Sequence, residues 1–261
     1  MSVPASAVKE LRERTGAGMM DCKRALEESR GDIGRAQRLL RERGIAAAGK
    51  RAGRETTEGQ VLTSRTDGYV TLIAVGCETE PVSKNDEFRT FAQTVLDAVA
   101  RDGPETASSL EGERIELVAR LGENIVVLGA ERYERADGSS VSSYVHPPAH
   151  KLGALVRLDG GTEELARKVA MHVTATNPAF ASREEVPAET TDAERKVLQG
   201  LPEVVSKPEH IRPRIVEGML DKRFFAESVL TEHAWIHDLS LSVGEALGDA
   251  RVRAFARLDV G

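Results

Sequence analysis

Two periods of hydrophobic residues alternate along this chain and divide it into helical and extended stretches. Over residues 5–43 the apolar positions recur at spacings of three and four, which predicts three short helices. Val8 and Leu11 mark the inner face of the first, over about 5–14, which stops at Thr15-Gly16. Cys22, Ala25 and Leu26 mark the second, which begins near Met20. Gly31-Asp32 separates it from the third, where Ile33, Ala36, Leu39 and Leu40 repeat and Gly44 supplies a C-terminal stop. Residues 46–58 are rich in Ala, Gly, Arg and Thr, with no large apolar side chain, and read as a linker.

The pattern then changes. Residues 60–64 and 69–76 flank Thr66-Asp67-Gly68, a hairpin signal, because Asp-Gly supplies the positive φ of a tight turn. The run Tyr69 to Val75 reads as a buried strand, and Phe88, Phe91, Ala92, Val95, Leu96 and Val99 form a helical stripe over about 85–101. A further helix is predicted over about 110–121, followed by a second hairpin of strands 125–135 and 140–146 over Asp137-Gly138. Leu152 to Leu158, then Leu165, Val169 and Val173, echo the earlier strand and helix as a partial internal repeat. Val75 to Phe88 spans 13 positions and Leu158 to Leu165 spans 7. The longer connection holds a polar stretch, Cys77-Glu78-Thr79-Glu80-Pro81-Val82-Ser83-Lys84-Asn85, which packing does not require and which is therefore a candidate functional loop.

Residues 187–224 suggest a protruding antiparallel helix pair, broken at Gly200-Leu201-Pro202, with Ile211, Ile215, Val216, Met219 and Leu220 on the inner face of its second arm. Proline is comfortable only in a first turn, so that arm begins as late as Pro213. A short helix at 243–247 and a strand at 251–258 close the chain.

Composition narrows the function. With 261 residues the chain holds one large domain or two small ones, and aromatic residues make up only 4% of it. No apolar run reaches the length of a membrane span, and the N-terminus lacks the apolar core of a signal peptide, so a cytoplasmic protein is expected. Cys22 and Cys77 stand far apart, which argues against a disulfide framework or a zinc site. Net charge is −6, but residues 1–54 hold 13 Lys and Arg against 7 Asp and Glu, a balance of +6 that leaves −12 for the rest. That block is a solvated face, a nucleic-acid footprint or a docking surface for an acidic protein. Gly16-Ala17-Gly18 has no following Gly-Lys-Ser/Thr, so it is no phosphate loop. His233 and His237 lie four apart without a third predicted ligand. No catalytic constellation emerges, and no cofactor or metal is expected.

The stretch Leu11-Arg12-Glu13-Arg14-Thr15-Gly16-Ala17-Gly18-Met19-Met20-Asp21-Cys22-Lys23-Arg24-Ala25-Leu26, followed by Gly31-Asp32-Ile33, closely resembles the N-terminal signature of the elongation factor Ts family. That family comprises the guanine-nucleotide exchange factors of elongation factor Tu in bacteria and organelles. The resemblance extends over nearly the whole chain, through Cys77-Glu78-Thr79-Glu80-Pro81-Val82-Ser83-Lys84, Ala170-Met171-His172-Val173 and Ile215-Val216-Glu217-Gly218-Met219. It implies an α+β protein: a ubiquitin-associated-like three-helix module at 1–44, a linker at 45–58, and a core of two related α/β halves with antiparallel sheets. The halves are expected at 59–146 and 147–261, the second with a helical-hairpin protrusion at about 187–224.

By resemblance, Thr79, Glu80, Pro81 and Val82 occupy the loop that disturbs the magnesium and phosphate site of elongation factor Tu. Here Glu80 and Pro81 stand where the family has Asp and Phe. Losing the ring forfeits about 1–2 kcal/mol of apolar burial, partly offset by the stiffness of proline. Arg12, Met19 and Met20 would dock the N-terminal module on the GTPase. Two adjacent methionines cannot share one inward stripe, so at least one is exposed, as suits an adaptable interface. His146, ahead of Pro147-Pro148, would approach the phosphate-loop side of Tu. The family's C-terminal helical extension is not expected here. Some members of the family pair, which allows a homodimer, while neither membrane nor direct nucleic-acid contact is expected. The rival readings are a nucleic-acid-binding protein using the basic N-terminal module, and a metal enzyme built on His233 and His237.

Overall fold

Residues 3–261 are described by a computed structural model, and the first two residues of the 1–44 module lie outside them. In chain order the elements are α1 (Ala5–Thr15), α2 (Met19–Glu28), α3 (Ile33–Arg51), β1 (Glu58–Arg65) and β2 (Tyr69–Cys77). Next come α4 (Glu80–Ser83), α5 (Asp86–Asp102), α6 (Glu111–Leu121), β3 (Ile125–Glu134), β4 (Ser139–Val145), β5 (Leu152–Asp159) and α7 (Glu163–Thr176). The chain ends with α8 (Ala188–Gln199), α9 (Pro202–Val205), α10 (Arg212–Met219), α11 (Ala226–Ser228), α12 (Val243–Leu247) and β6 (Arg251–Asp259).

The apolar run of β2 is explained by its place at the centre of a three-stranded antiparallel sheet, order β1-β2-β3, with both faces covered. Ile73, Val75 and Cys77 pack against Phe88, Phe91, Ala92, Val95 and Val99 of α5. The alternate residues Val70, Leu72 and Ala74 face Val141 and Leu155 of the second sheet, order β4-β5-β6. That sheet turns Ala154, Val156 and Leu158 outward onto Ala166, Val169, Ala170 and Val173 of α7. The core thus has four layers, helix, sheet, sheet and helix, with each central strand buried on both sides. The two sheets approach closely where glycine lets them: a Cβ on Gly129 would lie 2.5 Å from the Leu258 side chain.

The repeat is structural. Both halves run strand, central strand, helix, edge strand. A β-bulge interrupts the pairing of each central strand with its last partner, at Ala74/Val75 in one half and Arg157/Leu158 in the other. When Val75 is set against Leu158, the two bulges coincide.

Four expectations are corrected. Strands 125–135 and 140–146 do not pair with each other: β3 pairs with β2 and β4 with β5. Gly138 takes its positive φ of 76° in a turn, but that turn carries the chain from one sheet to the other. The Asp-Gly signal fixes a local reversal, whereas the buried central strands fix the partners. The halves therefore divide within 135–138 rather than at 146. The expected linker at 45–58 is also helical over its first part, since α3 continues through Gly44 to Arg51. Ala46, Ala47 and Ala48 are strong helix formers. Gly44 is a contact rather than a stop, because its Cβ position lies 3.3 Å from Cβ of Ala119 on α6. Ala48 joins the core of the first half. What looked like linker composition is the small-residue face of a close helix pair.

The segment after α7 forms the helical arm. Leu198, Val204, Val216 and Leu220 make its own small core, and α10 opens with Pro213 in its first turn. Arg183 ties the arm to the core by donating to Asp221 and Glu232, with its guanidinium over the Phe225 ring.

Candidate functional site

The loop that lengthens the first half is a preformed turn. Of the eight residues between Cys77 and Asp86, four form the single helical turn α4, whereas only three residues separate Asp159 from Glu163 in the second half. Pro81 sits in the first turn, where its fixed φ is already helical and its missing N–H costs nothing. Thr79, Glu80 and Pro81 are exposed, while Val82 is half-buried against the α5 core. The Glu80 carboxylate is held by Lys84 at 2.6 Å, and that hydrogen bond keeps its pKa below the usual carboxylate value. Gln60 of β1 donates to the carbonyl of Ser83 at 3.1 Å, and Asn85 caps α5 by accepting from the N–H groups of Glu87 and Phe88.

Beneath the turn lies a residue that sequence reasoning missed. Glu123 Oε2 accepts from the backbone N–H of Glu78 at 3.1 Å and of Thr79 at 3.0 Å, while its Oε1 accepts from Thr79 Oγ1 at 2.5 Å. The brace is reciprocal, because the Glu78 carboxylate accepts from the N–H of Asn124 at 2.6 Å and pairs with Arg54. Asn124 Nδ2 donates in turn to the carbonyl of Arg54. A signal for Glu123 did exist: it follows Gly122, the left-handed cap of α6, and a carboxylate just past a helix C-terminus opposes the helix dipole. Cys77, at the root of the loop, is a buried free thiol whose pKa is pushed up to about 12, first by burial and then by the Glu123 charge.

Met19 and Met20 open α2 and are both exposed, at 59% and 61%, and Arg12 is exposed on α1. Arg120 of α6 joins this surface to the turn region. Its side chain lies against Gly16, whose Cβ position is 2.6 Å from Arg120 Cδ, and it donates to Glu87 in the first turn of α5 at 2.5 Å. His146 is exposed after β4, with Nδ1 at 3.0 Å from the Tyr144 hydroxyl. It reaches the same region only indirectly, since the carbonyl of His150 accepts from Val61 of β1.

His233 and His237 turn to different partners. His233 Nδ1 lies 3.2 Å from Nε2 of the buried His172, and His237 Nε2 lies 3.2 Å from the carbonyl of Lys168. Among the described residues, no group of three or more His, Cys, Asp or Glu side chains is arranged to hold a metal ion, and no helix is long and apolar enough to cross a membrane.

The class of protein that emerges is an α+β molecule with a duplicated antiparallel core, a helical module docked on one half and a helical arm raised from the other. The profile of the family described as Elongation factor TS matches residues 78–261. The elongation factor Ts of Alkalilimnicola ehrlichii is 40% identical over 275 residues, covering 100% of this chain and 93% of that protein. Those of Thioalkalivibrio sulfidiphilus and Actinobacillus pleuropneumoniae are 38% and 42% identical, over 100% and 99% of this chain and 93% and 91% of theirs. The chain belongs to the elongation factor Ts family.

Proposed function

We propose that this protein binds elongation factor Tu in its GDP form and promotes release of the nucleotide, so that GTP can rebind. The observation that carries this reading is the preformed turn at Thr79, Glu80, Pro81 and Val82, its first three residues exposed, in the position where family members address the magnesium and phosphate site of the GTPase. The reaction makes and breaks no covalent bond. The factor grips nucleotide-free Tu more tightly than the GDP form, and reciprocity then weakens GDP by the same ratio. A coupling of about 4 kcal/mol corresponds to roughly a thousandfold. Much of that coupling can pass through magnesium, because the ion bridges phosphate and protein and is lost when its ligands move. Met19, Met20 and Arg12 supply docking contacts from the N-terminal module, and His146 adds one from the second half. The setting is the cytoplasmic translation machinery, in keeping with the relatives.

Stopped-flow release of fluorescent GDP from the cognate Tu tests the reading. Release accelerates with added factor, and titration gives a tighter complex with empty Tu than with GDP-loaded Tu. Equal affinity for the two forms overturns it.

A further inference from the structure

We infer that Glu123 is a positioning residue for exchange: its carboxylate fixes the backbone of Glu78 and Thr79, so that the 79–82 turn meets its partner already shaped. The inference rests on the exchange reading above. A four-residue helix cannot hold itself, because the first turn fixes several dihedral angles for a single hydrogen bond. The usual remedy is an N-cap side chain. Thr79 occupies that position with extended φ and ψ of −130° and 152°, yet its hydroxyl makes no cap. It turns away from α4 to Glu123 instead. Gln60 holds the far end of the turn at the Ser83 carbonyl, and the anchoring of its N-terminal end has moved from the cap to the loop after α6.

One carboxylate takes three donors from two consecutive residues, and charge-assisted bonds of this kind are the stronger class. Orientation follows from this geometry: two neighbouring N–H groups converging on one oxygen leave the Glu78–Thr79 peptide little freedom to rotate. Glu123 itself is placed by α6, which ends at Leu121 and is capped by Gly122. The same helix receives Gly44 of α3 at Ala119 and touches Gly16 through Arg120. One helix thus sets both the seat of the N-terminal module and the pose of the turn. Glu123 lies beneath the turn, so its contribution belongs to the nucleotide-releasing step rather than to the docking contacts of Met19 and Met20.

The experiment uses the full chain with Glu123→Ala and Glu123→Gln. The glutamine keeps one carbonyl for the two N–H groups and an amide that can donate to the Thr79 hydroxyl. Amide hydrogen exchange read by NMR, together with GDP release from Tu over a range of factor concentrations, gives two independent readouts. In Glu123→Ala the Glu78 and Thr79 amides exchange at least about tenfold faster, the scale of one lost charge-assisted hydrogen bond. The maximal rate of GDP release falls about tenfold, the factor concentration at half-maximal rate changes less than threefold, and Glu123→Gln recovers most of the rate. Unchanged amide exchange overturns the anchor. Faster exchange with an unaltered maximal rate, or an equal loss in the two variants, overturns the positioning role. A loss confined to the half-maximal concentration makes Glu123 a docking support instead and overturns it too. If the unsubstituted protein fails to accelerate release, the exchange reading falls and takes this role with it, an outcome distinct from failure of the variants alone.

Discussion

Nε2 of His172, in the middle of α7, lies 3.2 Å from Nδ1 of His233, and both rings are buried. The pattern of partners assigns the tautomers. The N–H of Ile236 donates to His172 Nδ1, so His172 carries its proton on Nε2 and donates it to His233 Nδ1. His233 then carries its proton on Nε2 and donates to the carbonyl of Glu227 at the base of the arm. Trp235 stacks on the His172 ring. Both imidazoles must be neutral, since a second proton would fall on His172 Nδ1, facing the N–H of Ile236, or on His233 Nδ1, facing the N–H of His172, and either would set two donors face to face. Burial, followed by the repulsion a second histidine cation at His233 or His237 would add, lowers the His172 pKa to about 4, and burial also lowers that of His233.

The sign of the pH dependence follows. The unfolded His172 takes up its proton near pH 6.5 and the folded one only near 4, so the unfolded state binds more protons in that window. The contribution is whole above about pH 6.5 and is lost as pH falls towards 4, amounting to about 3 kcal/mol across the window. Titration of the ring protons by NMR checks the origin: His172 should remain neutral at pH 5, and a midpoint near 6.5 would refute the pairing.

Gly44 predicts the strength of the joint between the N-terminal module and the core. Alanine there gains helix propensity of about 0.5–1 kcal/mol but needs a small adjustment against Ala119, so the two effects nearly cancel. Leucine cannot be accommodated, and its overpacking is expected to cost about 1–3 kcal/mol. Thermal unfolding of Gly44→Leu should show the loss, with earlier proteolysis within α3. A melting curve matching that of the unsubstituted chain would mean that α3 does not seat on α6.

The exposed methionines separate binding from stability. Met19→Lys and Met20→Lys should leave unfolding within about 0.5 kcal/mol, as is usual for surface positions. Affinity for nucleotide-free Tu should fall at least about tenfold for each, because burial of a methionine side chain is worth about 1.5–3 kcal/mol. Calorimetric titration decides, and unaltered affinity in both variants would remove the pair from the interface.

Pro81 is expected to act through stiffness. Pro81→Gly keeps the turn sterically feasible but returns freedom worth about 0.4–1 kcal/mol to the unconstrained chain. Maximal GDP release should then slow by about two- to fivefold. An unchanged rate would remove Pro81 from the mechanism.

Where one face of an element meets one neighbour, residue pattern and structure agree. The stripes Val8/Leu11, Cys22/Ala25/Leu26 and Phe88 to Val99 are buried as their spacing requires. The buried runs of β2 and β5 became the two central strands, and the unequal connections of the repeat located the turn at 79–82. The neighbour that a local signal faces is a different matter. Gly44 has the composition of a helix stop and acts as a helix contact, because only the approach of Ala119 gives it that use. Asp137-Gly138 has the composition of a hairpin and serves as a crossing between sheets, because β2 and β5 had already claimed β3 and β4. Glu123 and His172 gain their roles from residues 44 and 61 positions away. Periodicity reports how a segment divides between core and water, so most elements, their inner faces and the extra loop were determined by residue order alone, while the run of α3 past Gly44 to Arg51 was not. Which strands pair, which helices touch and which carboxylate braces the turn depend on contacts between distant segments, and those were decided only when the whole chain closed on its shared core.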